Sequence, residues 1–179
     1  MLIDSSVHLA DLARGDADIA IRFGATHEEA VVAHRLFDEE LCAFCSPQIA
    51  EGLNVPIDLA RCQFINWETS SLEWATATRN LMDWPRWLEQ IGASDVEPSG
   101  GLRFSDYNLA VQAAVAGHGV VLGSGPVLAH LVTAGLLVRA VPQSLRTDVG
   151  YDVVTTPRAS ERAEVEAFIE WIKTEARDG

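Results

Sequence analysis

Cys42 and Cys45 have the Cys-x-x-Cys spacing of a thiol redox pair. That chemistry needs a lowered thiol pKa, commonly supplied by a helix N-terminus. Here the pair lies in Glu-Leu-Cys-Ala-Phe-Cys-Ser, residues 40–46, which reads as a strand stopped by Pro47. An odd separation in a strand sends the two side chains to opposite faces, so buried structural thiols are expected. A zinc site needs about four ligands, and Cys62 is the only other cysteine. The histidines stand at His8, His27, His34, His118 and His130, and no two share a metal-binding spacing on one helix face. Neither a metal nor a cofactor is therefore expected.

The glycines of Gly117-His118-Gly119-Val120-Val121-Leu122-Gly123 follow a predicted helix and open a strand. A dinucleotide-binding loop has the reverse order, so a tight helix-to-strand turn is the better reading. Gly123-Ser124-Gly125 lacks the Gly-x-Ser-x-Gly pattern of a nucleophile elbow. Ser124 nevertheless sits at a strand end before a helix, where a hydroxyl and backbone N–H groups can hold an anion. The acidic groups Asp16/Asp18, Glu28/Glu29 and Asp38/Glu39/Glu40 read as solvated faces. Trp67, Trp74, Trp84 and Trp87 read as core or inter-lobe packing. No nucleophile–base pair emerges, and no catalytic residue is expected.

The elements that must position these residues alternate between helical and strand patterns, which implies α/β layering. Residues 7–14 read as a short helix ended by Gly15, and residues 17–23 as a strand ended by Gly24. Residues 31–37 suit an edge strand, 56–60 a single helical turn, and 63–67 a short buried strand. Residues 26–29 and 68–80 read as loops. Asp83 can cap a helix to Gln90 that carries Trp84, Trp87 and Leu88 on one side. Residues 101–104 form a strand, and Ser105 can cap a helix over 106–116 that is apolar nearly all round and so expected to be deeply buried. Strands follow at 120–122 and 136–141, separated by a helix from Pro126 to Thr133. A polar connection over 143–148 leads to a strand at 149–155. In the last helix, over 160–176, Val165, Phe168, Ile169 and Ile172 form one stripe.

Composition narrows the function. The chain has 179 residues and a formal net charge of -13. Such a chain repels phosphate backbones and anionic membrane surfaces, so nucleic-acid binding is not expected of these residues by themselves. Three cysteines without a secretory signal fit a reducing compartment, and no apolar run reaches the ~20 residues of a membrane span. A cytoplasmic protein is expected.

Several segments together resemble the LysR-type transcriptional regulators, in a variant like the glycine-cleavage activators. The first is Asp11-Leu12-Ala13-Arg14-Gly15-Asp16-Ala17-Asp18-Ile19-Ala20-Ile21-Arg22-Phe23-Gly24. Further matches come in order: Glu40-Leu41 through Cys45-Ser46-Pro47, Asp58-Leu59-Ala60, and Gly101-Leu102-Arg103-Phe104. Residues 109–120, Gly135-Leu136-Leu137-Val138-Arg139 and Ala167-Phe168-Ile169-Glu170-Trp171-Ile172 complete the set. The resemblance covers nearly the whole chain, and the order of its pieces is more specific than any one of them.

The resemblance implies the family's effector-binding domain: a two-lobed α/β fold like a type 2 periplasmic binding protein, with mixed sheets and two hinge strands. Residues 1–60 with 149–179 would form lobe I, and 61–148 lobe II. The segments 40–46 and 149–155 would be the hinges. Against the family pattern, the first strand and first helix of the domain and the helix-turn-helix are missing, which implies a fragment, a mis-assigned start or a degenerate gene. A small, carboxylate-bearing effector would bind in the cleft, and a homodimer or tetramer would form through the regulatory lobes. DNA would be reached only through the absent N-terminal domain. The implied ligand-binding residues are Ser5, where the second helix would open; Phe23 and Gly24; Trp67 and Glu68; and Ser124. A solute-binding protein and a small α/β enzyme are the alternatives. The first would need an export signal and the second a catalytic set.

Overall fold

The structure is a computed structural model that describes residues 1–6, 9–24, 31–68, 82–98 and 100–178. Among the described residues there are six strands: β1 (Ile19–Phe23), β2 (Val32–Cys45), β3 (Phe64–Trp67), β4 (Leu102–Phe104), β5 (Val120–Ser124) and β6 (Val138–Thr155). Their hydrogen-bonded order is β1-β6-β2-β5-β3-β4. The helices are α1 (Pro47–Ala50), α2 (Trp84–Gln90), α3 (Tyr107–Val115), α4 (Gly125–Thr133), α5 (Pro157–Ser160) and α6 (Ala163–Asp178), with a 3₁₀ turn at Pro56–Arg61. The expected mixed-sheet α/β class is what the chain adopts. It forms two compact units, one of Met1–Asp38 with Asp148–Gly179 and one of Glu39–Thr147.

In the second unit β3 runs parallel to both β4 and β5, while β2 is antiparallel to β5. Pleating sorts the side chains of β2 into two cores. Leu41, Ala43 and Cys45 join Leu59, Phe64, Trp84, Trp87, Leu88 and Leu122 on one face. Cys42 and Phe44 join Ile65, Ala110, Ala114, Val121 and Leu128 on the other. The indoles are placed by their polar ends as well. Trp84 Nε1 donates to the Ile65 carbonyl at 3.0 Å and Trp87 Nε1 to the Leu41 carbonyl at 3.2 Å. Asp83 caps α2 as expected, accepting from the Arg86 N–H at 2.9 Å. On α3 the cap is Asp106 rather than Ser105, accepting from the Leu109 N–H at 3.0 Å. That helix is not buried all round, since Leu109 is 57% exposed.

In the first unit β1 pairs antiparallel with β6, from Ile19↔Thr155 to Phe23↔Tyr151. Val165 and Ile169 of α6 pack on Val153, with Ile19, Leu36 and Ile172 around them. Arg35 on β2 bonds the buried Asp152 on β6 at 2.8 Å, and also Asp38. Thr155 Oγ1 donates to the Asp18 carbonyl at 2.7 Å.

Several expectations need correction. The strands expected at 31–37 and 40–46 are one strand, β2, which lies inside the sheet rather than at its edge. The strands expected at 136–141 and 149–155 are likewise one, β6, and the expected polar connection over 143–148 is strand. There the half-buried Leu145, Thr147 and Val149 alternate with the exposed Arg146 and Asp148. That is a strand signature carried by polarity rather than by apolar count. Residues 9–15 form no helix; Asp11 accepts from the Arg14 N–H at 3.1 Å and the chain turns at Gly15, φ 84°. Residues 7–8, 26–29 and 69–80 lie outside the described residues. The final helix divides into α5 and α6. Residues 39–60, expected with the N-terminal segment, group with 61–147, because Leu41, Leu59 and Ile49 pack around the Trp84–Trp87 core.

Gly150 shows how tightly the long strands meet: a Cβ added there would strike the Phe37 carbonyl. Gly150→Ala is expected to destabilise the chain by about 1–3 kcal/mol, the range for overpacking. Urea unfolding would show this as a lower midpoint at constant m value. A variant as stable as the parent would contradict the contact.

Candidate functional site

The parallel arrangement of the second unit places the C-terminal ends of β3, β4 and β5 along one edge. Ligands of open α/β sheets bind at such edges. The register Ile65↔Val121 puts Trp67 level with Gly123, and Trp67 itself pairs with Phe104. α3 and α4, nine residues each, both start at this edge. Their first turns bring the positive dipole end to this edge, with the Leu109 and Val127 N–H groups taken by the Asp106 and Ser124 caps and none on Pro126. The Trp67 and Tyr107 rings lie 5.2 Å apart at 50°. The Trp67 Nε1 is buried and has no hydrogen-bond partner among the described residues. Gly123 is needed for the close approach of α3 and α4 to the sheet. A Cβ there would lie 2.5 Å from Leu128 Cδ1 and 2.9 Å from Tyr107 Oη.

Ser124 ends β5 and caps α4, accepting from the Val127 N–H at 3.3 Å. Only 1% of it is exposed, and its hydroxyl lies beside the Glu39 carboxyl. Glu39 is 2% exposed, and its Oε1 has no partner among the described residues. Burial pushes the Glu39 carboxyl above the ordinary range, against the lowering effect of the Ser124 and backbone bonds. Glu40 behaves oppositely. Its Oε1 accepts from Ser144 at 2.7 Å and Arg139 at 3.2 Å, and those bonds hold its pKa down.

The six sequence-derived residues are therefore not all gathered. Trp67, Glu68 and Ser124 share the strand edge of the second unit. Glu68 is committed to an ion pair with Arg103. Phe23 and Gly24 end β1 in the first unit, where the Phe23 ring stacks 5.1 Å from Tyr151 and the Gly24 N–H donates to the Gly150 carbonyl at 3.0 Å. Ser5 is exposed in a segment without regular structure and opens no helix among the described residues. Tyr107 and Glu39 were missed. Tyr107 carries no motif. Glu39 was read as part of a solvated acidic run, yet it shares strand parity with Leu41, Ala43 and Cys45. Parity along β2 is the signal that would have found it.

No group of three or more His, Cys, Asp or Glu side chains suited to a metal occurs among the described residues. No helix among them is long and apolar enough to cross a membrane. Cys42 and Cys45 face opposite cores, as expected, and burial pushes their thiols up to about 11 and about 12.

Comparison with known proteins decides the family. The profile of the LysR substrate binding domain matches residues 2–177. The chain belongs to the LysR substrate-binding family. This LysR domain is 28% identical over 164 residues to the glycine cleavage system transcriptional activator of Escherichia coli K12, covering 90% of this chain and 50% of that protein. It is 26% identical over 171 residues to the regulator DsdC of the same strain, covering 93% of this chain and 53% of that protein. It thus spans about half the length of these curated relatives. Among solved structures it resembles the AmpR effector binding domain of Citrobacter freundii, with a TM-score of 0.73 at 19% identity, covering 97% of this chain and 82% of that one. The effector domain of Pseudomonas aeruginosa AmpR gives 0.69 at 24%, covering 93% and 76%. These likenesses show the shared fold. The family and the named relatives are transcription regulators rather than enzymes.

Two outcomes test this geometry. In the native LysR domain at pH 8 a thiol reagent should label the half-buried Cys62 first, and Cys62→Ser should remove that labelling; rapid labelling of Cys42 or Cys45 would contradict their burial. A carboxyl with a raised folded pKa contributes stability that is complete below its unfolded pKa and fades as pH rises through the folded value. Glu39→Gln should therefore raise the melting temperature relative to the parent at pH 8, with the gap closing toward pH 4. A gap that stays constant with pH would show that Glu39 ionises freely.

Proposed function

We propose that the chain is the effector-sensing regulatory domain of a cytoplasmic LysR-type transcription regulator, and that it takes a small carboxylate-bearing metabolite. The observation carrying this reading is the strand edge of residues 39–147. There lie two helix starts and the Trp67–Tyr107 pair, and the Trp67 Nε1 has no hydrogen-bond partner among the described residues. Helix N-termini favour anions, an indole N–H donates to a carboxylate oxygen, and aromatic faces cover an apolar body. Ser124 supports this edge by capping α4. Ser5, Phe23 and Gly24 remain proposed contacts on the strength of the family resemblance alone, as does Glu68.

In a whole regulator, DNA contact would come from a helix-turn-helix domain outside these 179 residues. The net charge of -13 fits a sensing part that leaves phosphate contacts to another. Regulatory parts of this kind would pair as homodimers or tetramers, as two-fold contacts commonly do. Effector binding would shift the populations of the domain's conformations and so the geometry of the assembly.

The test is a thermal-shift and calorimetric screen of small carboxylates against the 179-residue protein. A true effector at 100 times its Kd should stabilise the fold by about 2.7 kcal/mol. Trp67→Phe should weaken it about tenfold by removing one donor to a charged oxygen. Binding unchanged by Trp67→Phe, or a panel without any stabilising carboxylate, would overturn the reading.

A further inference from the structure

Unlike Asp106, which caps α3, and Glu68, which pairs with Arg103, the carboxyl of Glu39 at this edge is not explained by a plain carboxylate ligand. Such a ligand would be repelled by a neighbouring carboxylate, yet Glu39 meets the capping hydroxyl of α4 and is sealed from water. The Ser124 hydroxyl accepts from the Val127 N–H and lies beside Glu39. The other oxygen, Oε1, is left without a donor among the described residues. Buried polar atoms are rarely left so. The nearby arginines do not serve it, because Arg139 and Arg146 pair with Glu40. What this oxygen lacks is an N–H donor, and a cationic one would also compensate its charge.

We infer that Glu39 is a specificity-determining residue of the sensing site and that the ligand is amino-acid-like, a protonated amine beside a carboxylate, with the ammonium donating to Glu39 Oε1 and the carboxylate lying at the helix starts. This rests on the carboxylate-sensing reading above and narrows its ligand class. The two opposite charges of the ligand then match the two opposite features of the edge. The groups that bear on Glu39 are Ser124 at the start of α4, and Glu40 beside it on β2, whose charge opposes ionisation.

The experiment is calorimetry of the 179-residue protein with matched acids: L-alanine and propionate, L-serine and 3-hydroxypropionate, L-glutamate and glutarate. In at least one pair the amino acid should bind at least about tenfold more tightly than its amine-free partner. Glu39→Gln, confirmed as folded by its melting curve, should bring the two members of that pair together. Amine-free acids that bind as tightly as their amino partners, with Glu39→Gln altering neither, would sink this inference and leave carboxylate sensing standing. If neither member of any pair binds, the carboxylate reading fails and this inference with it.

Discussion

Five consecutive side chains on β2, from Leu41 to Cys45, are buried, and they point alternately into two cores on opposite faces of the sheet. A strand enclosed on both faces cannot slide by a single residue. Such a slip would exchange Leu41 and Ala43 for Cys42 and Phe44 in cavities of different shape. The register with β5 is thereby fixed, and with it the level at which Ser124 ends its strand opposite Leu41. Trp87, reaching across to the Leu41 carbonyl, ties α2 to the same strand. The candidate site inherits its geometry from this one constraint. α3 and α4 start where they do because Ala110, Ala114 and Leu128 must reach the Cys42–Phe44 face.

Where burial is apolar and periodic, the sequence was readable. The segments of α2, α3, α4 and β5 stood at the expected places, and so did the Asp83 cap and the opposed cysteines. The failures share a physical cause. Residues 143–148 are polar, and their strand is held by alternation and by bonds such as Ser144 to Glu40 rather than by apolar contact. Residues 9–15 have helix-compatible composition, but Asp11 bonds the local backbone and turns the chain instead. Ser124 and Trp67 were visible because a serine before a helix and a tryptophan at a strand end carry positional meaning. Tyr107 was not, since its role comes from packing on Trp67 across a fold not yet assembled.

The acidic run Asp38-Glu39-Glu40 shows why a block of like charge cannot be treated as uniform. In an extended strand its members part to different environments. Asp38 stays exposed beside Arg35, Glu40 is held ionised by Ser144 and Arg139, and Glu39 turns inward. Burial thus raises the proton affinity of Glu39 while hydrogen bonds lower that of its neighbour Glu40. The same pleat that builds the two cores produces this division.

The tryptophans carry a practical consequence. Trp84 and Trp87 are sealed in one core with rings 5.6 Å apart and nearly perpendicular. Trp171 is 51% exposed on α6, while Trp67 stands half-buried at the strand edge. Among the described residues these indoles sample distinct polarities, so the sealed pair contributes a blue, steady emission, Trp171 a red one, and Trp67 one that would report an occupant of the proposed edge. Replacing Trp171 with Phe would remove its solvent-facing contribution without touching either core.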